Sequence, residues 1–138
     1  MKKKLNYVLL VDDDEATNYL NKMIIEERGC AEEIIIVENG LEALKFLTNK
    51  RNGKFPQPDL IFLDINMPLM DGWEFLEEYK KLEENQKSKV IIVMLTTSIN
   101  PDDKEKAHNH QEIQNYENKP LDEQKLERVL KEYFPDHI

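Results

Sequence analysis

The sequence is poor in cysteine and has no long hydrophobic run. Its single cysteine, Cys30, has no partner for an internal disulfide, which suits the reducing cytoplasm. Lys2 to Lys4 precede an apolar run, as in a signal peptide, but the run from Leu5 to Val11 is short and ends at acids. No stretch approaches the roughly 18 apolar residues of a membrane span. We therefore expect a cytoplasmic protein without membrane insertion.

Excess positive charge is lacking as well. The chain has 19 Lys and Arg against 28 Asp and Glu, a formal net charge of −9. This charge disfavours nonspecific binding to nucleic acids and to anionic membrane surfaces, because both are themselves negative. We expect no nucleic-acid partner. No internal repeat, low-complexity tract or linker interrupts the sequence, and its 138 residues predict a single domain over residues 1–138.

Apolar runs alternate along the chain with segments of helical periodicity. Four continuous runs, each interpreted as a strand, occupy residues 5–11, 34–37, 60–63 and 90–95. A weaker fifth run surrounds Tyr116. The first of five helical segments, ended by Gly29, carries an apolar stripe of Ala16, Leu20, Met23 and Ile24. Runs without alternation indicate strands buried on both faces. The order predicts a doubly wound α/β fold with five parallel strands and five helices.

Polar side chains follow four of these strands at their carboxyl ends. The first strand is followed by Asp12 and Asp13, and the third by Asp64. The fourth is followed by Thr96 and the fifth by Lys119. Parallel strands end at one edge of a sheet, where open α/β folds bind their ligands. Desolvation makes a charged carboxylate at the end of a buried strand unfavourable. The presence of Asp64 there therefore indicates a functional site at this edge.

The motifs closely resemble those of the response-regulator receiver domain of two-component signalling, and are similar to the single-domain chemotaxis regulators. The matching pieces are V-D-D at 11–13, L-D-I-N-M-P at 63–68 with D-G at 71–72, L-T-T at 95–97, and the stretch from Tyr116 to Lys119 and Pro120. Each piece alone is ordinary, but their joint order and spacing are highly specific. The resemblance covers essentially the whole chain and implies the flavodoxin-like receiver fold.

The resemblance implies a role for each acidic residue of the site. Asp64 matches the aspartate that accepts the phosphoryl group. Asp13 matches the direct Mg²⁺ ligand, and Asp12 matches the acid that reaches the metal through water. The backbone carbonyl of Asn66 matches the third protein ligand. Lys119 matches the ionic partner of the phosphoryl group, and its bond to the following proline is commonly cis in the family.

The resemblance also implies a switch. Thr96 matches the hydroxyl that contacts the phosphoryl group, and Tyr116 matches the aromatic residue that changes rotamer on activation. Asn66 and Ser98 lie where the family tunes the lifetime of the phosphate. Thr97 stands where the family prefers a very small residue, so either it restricts access to the phosphoryl group or it only packs.

The chemistry of these residues agrees with the implied roles. Two carboxylates about 4 Å apart repel by about 4 kcal/mol at an effective dielectric constant near 20, so three of them favour a divalent cation. Oxygen ligands that retain some water favour Mg²⁺. Phosphoryl transfer needs mainly positioning and charge neutralisation, to which Mg²⁺ and Lys119 are suited.

The function that follows is a phosphorylation-dependent switch without an output domain of its own. The resemblance implies a phosphoryl donor that is a histidine kinase or a histidine phosphotransfer protein. It implies a downstream protein that binds the surface of the fourth helix, fifth strand and fifth helix. Such a chain is not an enzyme in the usual sense, since it catalyses only its own phosphorylation and dephosphorylation. A motility or enzyme target, a phosphorelay intermediate and a phosphate sink all remain open.

Three other functions compete with this one. A degenerate receiver could act as a constitutive binding module, but the full set of Asp12, Asp13, Asp64, Thr96 and Lys119 argues against it. A metal-dependent phosphohydrolase usually has a second aspartate two positions after the first, where this chain has Asn66. A flavin-binding protein of the same topology needs a hydroxyl-rich loop after the first strand, where this chain has acids.

The edge between the fourth helix and the fifth strand departs from the usual pattern. Glu117 and Asn118 stand where receivers carry apolar strand residues. The segment after Pro101 offers only Ala107 as an apolar position before Ile113. We predict that this edge is looser than the rest of the fold and adapted to a polar partner.

Overall fold

Five parallel strands form one sheet in the computed structural model, which describes residues 3–83, 86, 90–97 and 99–137. The strands are β1 (Leu5–Val11), β2 (Ala31–Val37), β3 (Leu60–Leu63), β4 (Ile91–Thr96) and β5 (Asn115–Asn118). Their order across the sheet is β2-β1-β3-β4-β5, and every neighbouring pair is parallel. The chain thus winds outward from β1 in one direction and from β3 in the other. This confirms the predicted doubly wound fold.

Five helices cover the two faces of the sheet in the part of the chain that the structure describes. They are α1 (Glu15–Arg28), α2 (Gly40–Thr48), α3 (Gly72–Lys80), α4 (Pro101–Asn109) and α5 (Glu123–Tyr133). Each begins at an Asp or Asn whose side chain accepts a backbone N–H of the first turn, in the order Asp14, Asn39, Asp71, Asn100 and Asp122. Such caps satisfy amide groups that have no partner within the helix. They fix where each helix leaves the carboxyl edge of the sheet.

The core is divided between the two faces of the sheet, because successive strand residues point in opposite directions. On one face, residues such as Leu9, Ile61 and Ile92 pack with the buried side chains of α2, α3 and α4. On the other, residues such as Leu10 and Phe62 pack with those of α1 and α5. Among the described residues, no helix combines the length and the hydrophobicity that crossing a membrane requires.

Most of the apolar stripe that predicts α1 does not face the core, and of its four residues only Ile24 packs partly against the core. Leu20 is 49% exposed and Met23 is 38% exposed, whereas the buried positions of α1 are Asn18, Asn21 and Ile25. The helix is rotated because Asn18 faces inward, where its Nδ2 donates a hydrogen bond of 2.8 Å to the carbonyl oxygen of Asp12. A polar contact therefore sets which face of α1 packs on the sheet.

This rotation predicts that truncation at two apolar positions of α1 lowers the stability of the protein to very different extents. Ile25→Ala should lower the free energy of unfolding by about 2–4 kcal/mol, because it opens a cavity at a residue that is 1% exposed. Leu20→Ala should change it by about 0.5 kcal/mol or less, because half of that side chain already contacts solvent. Urea unfolding of both variants measures the difference. Equal losses at the two sites would contradict the rotation.

The weakest part of the sequence pattern still forms regular structure. α4 is a helix of nine residues that starts at Pro101, and Ala107 alone is buried among its residues, all of which are described. β5 has only four residues, of which Asn115, Tyr116 and Glu117 are half-buried. The peptide bond between Lys119 and Pro120 is cis, as the resemblance implies.

Candidate functional site

Three carboxylates meet at the carboxyl edge of the sheet, at the ends of β1 and β3. The parallel register places Val11 beside Leu63, and the N–H of Asp64 donates a hydrogen bond of 3.0 Å to the Val11 carbonyl. One carboxylate oxygen from each of Asp12, Asp13 and Asp64 lies within 4.8 Å of the others. Asp12 and Asp64 are buried, whereas Asp13 is exposed to solvent. The cluster predicted from strand ends is therefore present.

The ammonium group of Lys119 reaches the cluster from the end of β5. Its Nζ lies 2.5 Å from Oδ2 of Asp12 and 3.5 Å from Oδ2 of Asp64. The backbone brings it there because β5 pairs with β4 in a register that sets Asn118 beside Thr96, and the N–H of Lys119 donates a hydrogen bond of 2.8 Å to the Thr96 carbonyl. The ion pair with Asp12 is thus the shorter of the two.

Burial and neighbouring charges shift the pKa values of Asp64 and Lys119. Burial, and then the neighbouring charge of Asp12, raise the pKa of Asp64 to about 6, although Lys119 opposes the shift. Burial also disfavours the charged form of Lys119, but its hydrogen bond to Asp12 and the charge of Asp64 leave its pKa above the usual value. At neutral pH Asp64 is therefore held in a charged form that its burial disfavours, and a cation would stabilise that charge.

Close backbone contacts hold the loop that follows Asp64. Oδ1 of Asp64 accepts a hydrogen bond of 2.9 Å from the N–H of Ile65, while its Oδ2 faces Lys119. The N–H of Gly72 donates to the Ile65 carbonyl at 2.8 Å. The N–H of Gly40, at the start of α2, donates to the Met70 carbonyl at 3.0 Å. The N–H of Ile65 therefore orients the carboxylate, and the other two backbone hydrogen bonds hold the loop that follows it.

Most of the remaining candidate residues lie on β4, on β5 or in the loop after β3. Thr96 ends β4 and is fully buried, and Thr97 is exposed. Tyr116 is half-buried on β5 and packs against the core face that α2, α3 and α4 cover. Asn66 is exposed in the loop two residues after Asp64. Ser98 lies outside the described residues, so its predicted role stays a prediction.

Two side chains that support the site escape the sequence analysis. Asn18 donates a hydrogen bond to the Asp12 carbonyl, but it lies outside the predicted apolar stripe of α1, so the sequence pattern does not mark it as core-facing. Lys125, in the first turn of α5, donates hydrogen bonds to the carbonyls of Asn118 and Pro120. No sequence signal marks that contact, because its acceptors are backbone groups.

Comparisons with known proteins agree with the fold. Residues 8–131 match the family described as the response regulator receiver domain. The chain is 37% identical over 99 residues to response regulator Rcp1 of Synechocystis, covering 70% of this chain and 65% of that relative. A two-component response regulator from Cytophaga hutchinsonii has a similar structure, with a TM-score of 0.81, 32% identity and coverage of 96% of this chain and 99% of that one. The phosphorylated cyanobacterial phytochrome response regulator RcpA is also similar, with a TM-score of 0.72, 29% identity and coverage of 92% and 89%. The chain belongs to the response regulator receiver domain family of two-component signalling.

Proposed function

We propose that the chain is a phosphorylation-dependent switch in which Asp64 accepts a phosphoryl group. The observation that supports this most directly is the meeting of Asp12, Asp13 and Asp64 within 4.8 Å, with the Lys119 ammonium 3.5 Å from the proposed acceptor. The similarity to a regulator whose structure was solved in a phosphorylated form supports the same chemistry. The donor that we propose is a histidine kinase or a histidine phosphotransfer protein.

The donor set of the site fits Mg²⁺. Hard divalent cations prefer carboxylate, carbonyl and water oxygens, and Mg²⁺ binds through a few carboxylates together with phosphate oxygens. Asp13, Asp12 and Asp64 would hold the ion, together with the backbone carbonyl of Asn66. When bound, Mg²⁺ supplies positive charge that offsets the carboxylates and the incoming phosphoryl oxygens.

The transfer itself needs one nucleophile and one fixed cation from the chain. A carboxylate oxygen of Asp64 forms a bond to phosphorus while the bond from phosphorus to the donor imidazole nitrogen breaks, and the imidazole keeps the electron pair. Lys119 offsets the negative charge of the phosphoryl oxygens, since its ammonium already lies beside Asp64. The Thr96 hydroxyl contacts the same oxygens in the product. The resulting acyl phosphate stores the signal until it is hydrolysed or passed on.

The signal would be transmitted by the surface of α4, β5 and α5. The new phosphate draws Thr96 toward it, which lets Tyr116 turn inward and biases an existing equilibrium between two conformations. Tyr116 lines both a cavity of about 230 Å³ between α4 and β5 and one of about 370 Å³ near the start of α4. This surface also carries charged groups such as Glu117 and Arg128, whose nearest charged atoms are 3.7 Å apart. It therefore suits a polar protein partner.

Intact mass measurement tests the acceptor directly. Incubation with acetyl phosphate and Mg²⁺ should add one phosphoryl group to the wild type, and no adduct should form without the metal or in Asp64→Asn. Asp136→Asn is a suitable control, because it removes an exposed carboxylate far from the site in the chain. Absence of an adduct from a folded, Mg²⁺-binding wild type would contradict the proposal, as would an adduct that persists in Asp64→Asn.

A further inference from the structure

Lys125 occupies an unusual place for a cation. It lies in the first turn of α5, three residues after the capping residue Asp122, where the helix dipole disfavours positive charge. Among the described residues it forms no ion pair with a carboxylate. Its Nζ instead donates hydrogen bonds of 2.7 Å to the carbonyl oxygen of Asn118 and 2.9 Å to that of Pro120. Hydrogen bonds from a charged donor are stronger than those between neutral groups.

These two carbonyls flank Lys119 on either side. The N–H of Lys119 is itself fixed, because it donates to the Thr96 carbonyl at 2.8 Å. Pro120 has no N–H with which to hold the loop from within. The backbone around Lys119 is therefore anchored from outside the loop, to β4 through the N–H of Lys119 and to α5 through the carbonyls on both sides of it.

The position of this backbone decides where the Lys119 ammonium lies. The Nζ atom of Lys119 is 2.5 Å from Oδ2 of Asp12 but 3.5 Å from Oδ2 of Asp64. A small displacement of the loop therefore changes which carboxylate the ammonium pairs with. We propose that Lys125 is a positioning residue, whose ammonium clamps residues 118–120 so that Lys119 reaches the phosphoryl group on Asp64. This inference rests on the proposed function, since it concerns the cation of that reaction.

The first test is the rate of phosphorylation by acetyl phosphate at saturating Mg²⁺. Lys125→Met should lower that rate by about five- to fiftyfold, because misplaced catalytic groups lose rate steeply. Lys125→Arg should restore most of it, since a guanidinium can donate to both carbonyls. Lys131→Met, which removes an exposed charge from the last turn of the same helix, should react at the wild-type rate. A wild-type rate in Lys125→Met would overturn the proposal.

A double-mutant cycle separates positioning from a general structural effect. If Lys125 acts through Lys119, then Lys125→Met should cause no further loss of rate in a Lys119→Met background. A purely structural role would lower the rate by the same factor in both backgrounds, and that outcome would overturn the proposal.

Hydrogen exchange tests the clamp without any phosphorylation. In Lys125→Met the amide of Lys119, bonded to Thr96, should exchange at least about tenfold faster. The amide of Asp64, bonded to Val11, should keep its wild-type rate. Unchanged exchange at Lys119 would overturn the proposal. If the Lys119 amide exchanges faster in Lys125→Met while the wild type forms no phosphoryl adduct, the proposed function is refuted and the clamp stands, so the two failures are distinguishable.

Discussion

Gly72→Ala is expected to lower the free energy of unfolding by about 2–4 kcal/mol, against the usual preference for alanine in helices. A Cβ at this position would lie well inside van der Waals contact with the carbonyl oxygen of Asp64. It would also lie 3.1 Å from Cα of Ile65 and 3.2 Å from the carbonyl carbon of Asp64. All three atoms are backbone, so no rotamer change relieves the contact. The midpoint and slope of urea unfolding measure the effect.

Gly53→Ala is the matched control for this prediction. Gly53 has a φ of +80°, and a methyl group added there would have no neighbouring atom within 4 Å. Alanine at this position should therefore cost about 1 kcal/mol of backbone strain and introduce no steric contact. A Gly72→Ala variant as stable as the wild type would mean that α3 and the loop after Asp64 separate easily. That result would also weaken the view that backbone contacts orient the acceptor carboxylate.

Much of the fold and the central acids could be predicted because they follow from strong local rules. Uninterrupted apolar runs identify strands buried on both faces, and parallel strands must end at one edge. Asp12, Asp13 and Asp64 therefore had to meet if the strands were assigned correctly, as they do within 4.8 Å. Their meeting depends on topology more than on the detail of any side chain.

The sequence pattern could not predict contacts that depend on how one helix or strand is oriented against another. The apolar stripe of α1 was a correct signal for a helix, but its direction is decided by the hydrogen bond from Asn18 to the Asp12 carbonyl. The sequence also does not show that Lys119 lies closer to Asp12 than to Asp64. The contact of Lys125 with two carbonyls could not be predicted from the sequence either. Every residue has a backbone carbonyl, so no residue type marks the acceptors.

Asp64→Asn is expected to raise the free energy of unfolding by about 1–3 kcal/mol at pH 7.5 without divalent cations. The pKa of Asp64 is raised to about 6 from an ordinary value of 3.8. A carboxyl group whose pKa is higher in the folded state stabilises the fold while protonated, and this contribution is lost as the pH rises from about 4 through about 6. Each unit of such a shift corresponds to about 1.4 kcal/mol, so a neutral amide removes a cost of that order. Urea unfolding at about pH 4 and pH 7.5 should show the two proteins nearly equal at the lower pH and separated at the higher.

Asp12→Asn tests whether this gain is specific to the proposed acceptor. Asp12 has the shorter contact with Lys119, at 2.5 Å, so its removal leaves a largely buried ammonium with only the longer contact to Asp64. Breaking a buried ion pair usually destabilises a protein, because one charge is left without its partner. Asp12→Asn should therefore be less stable than Asp64→Asn, although both remove one negative charge. A loss of stability in Asp64→Asn at pH 7.5 would mean that Lys119 fully offsets the burial of its carboxylate. In that case repulsion among the carboxylates could not be what draws a divalent cation to the site.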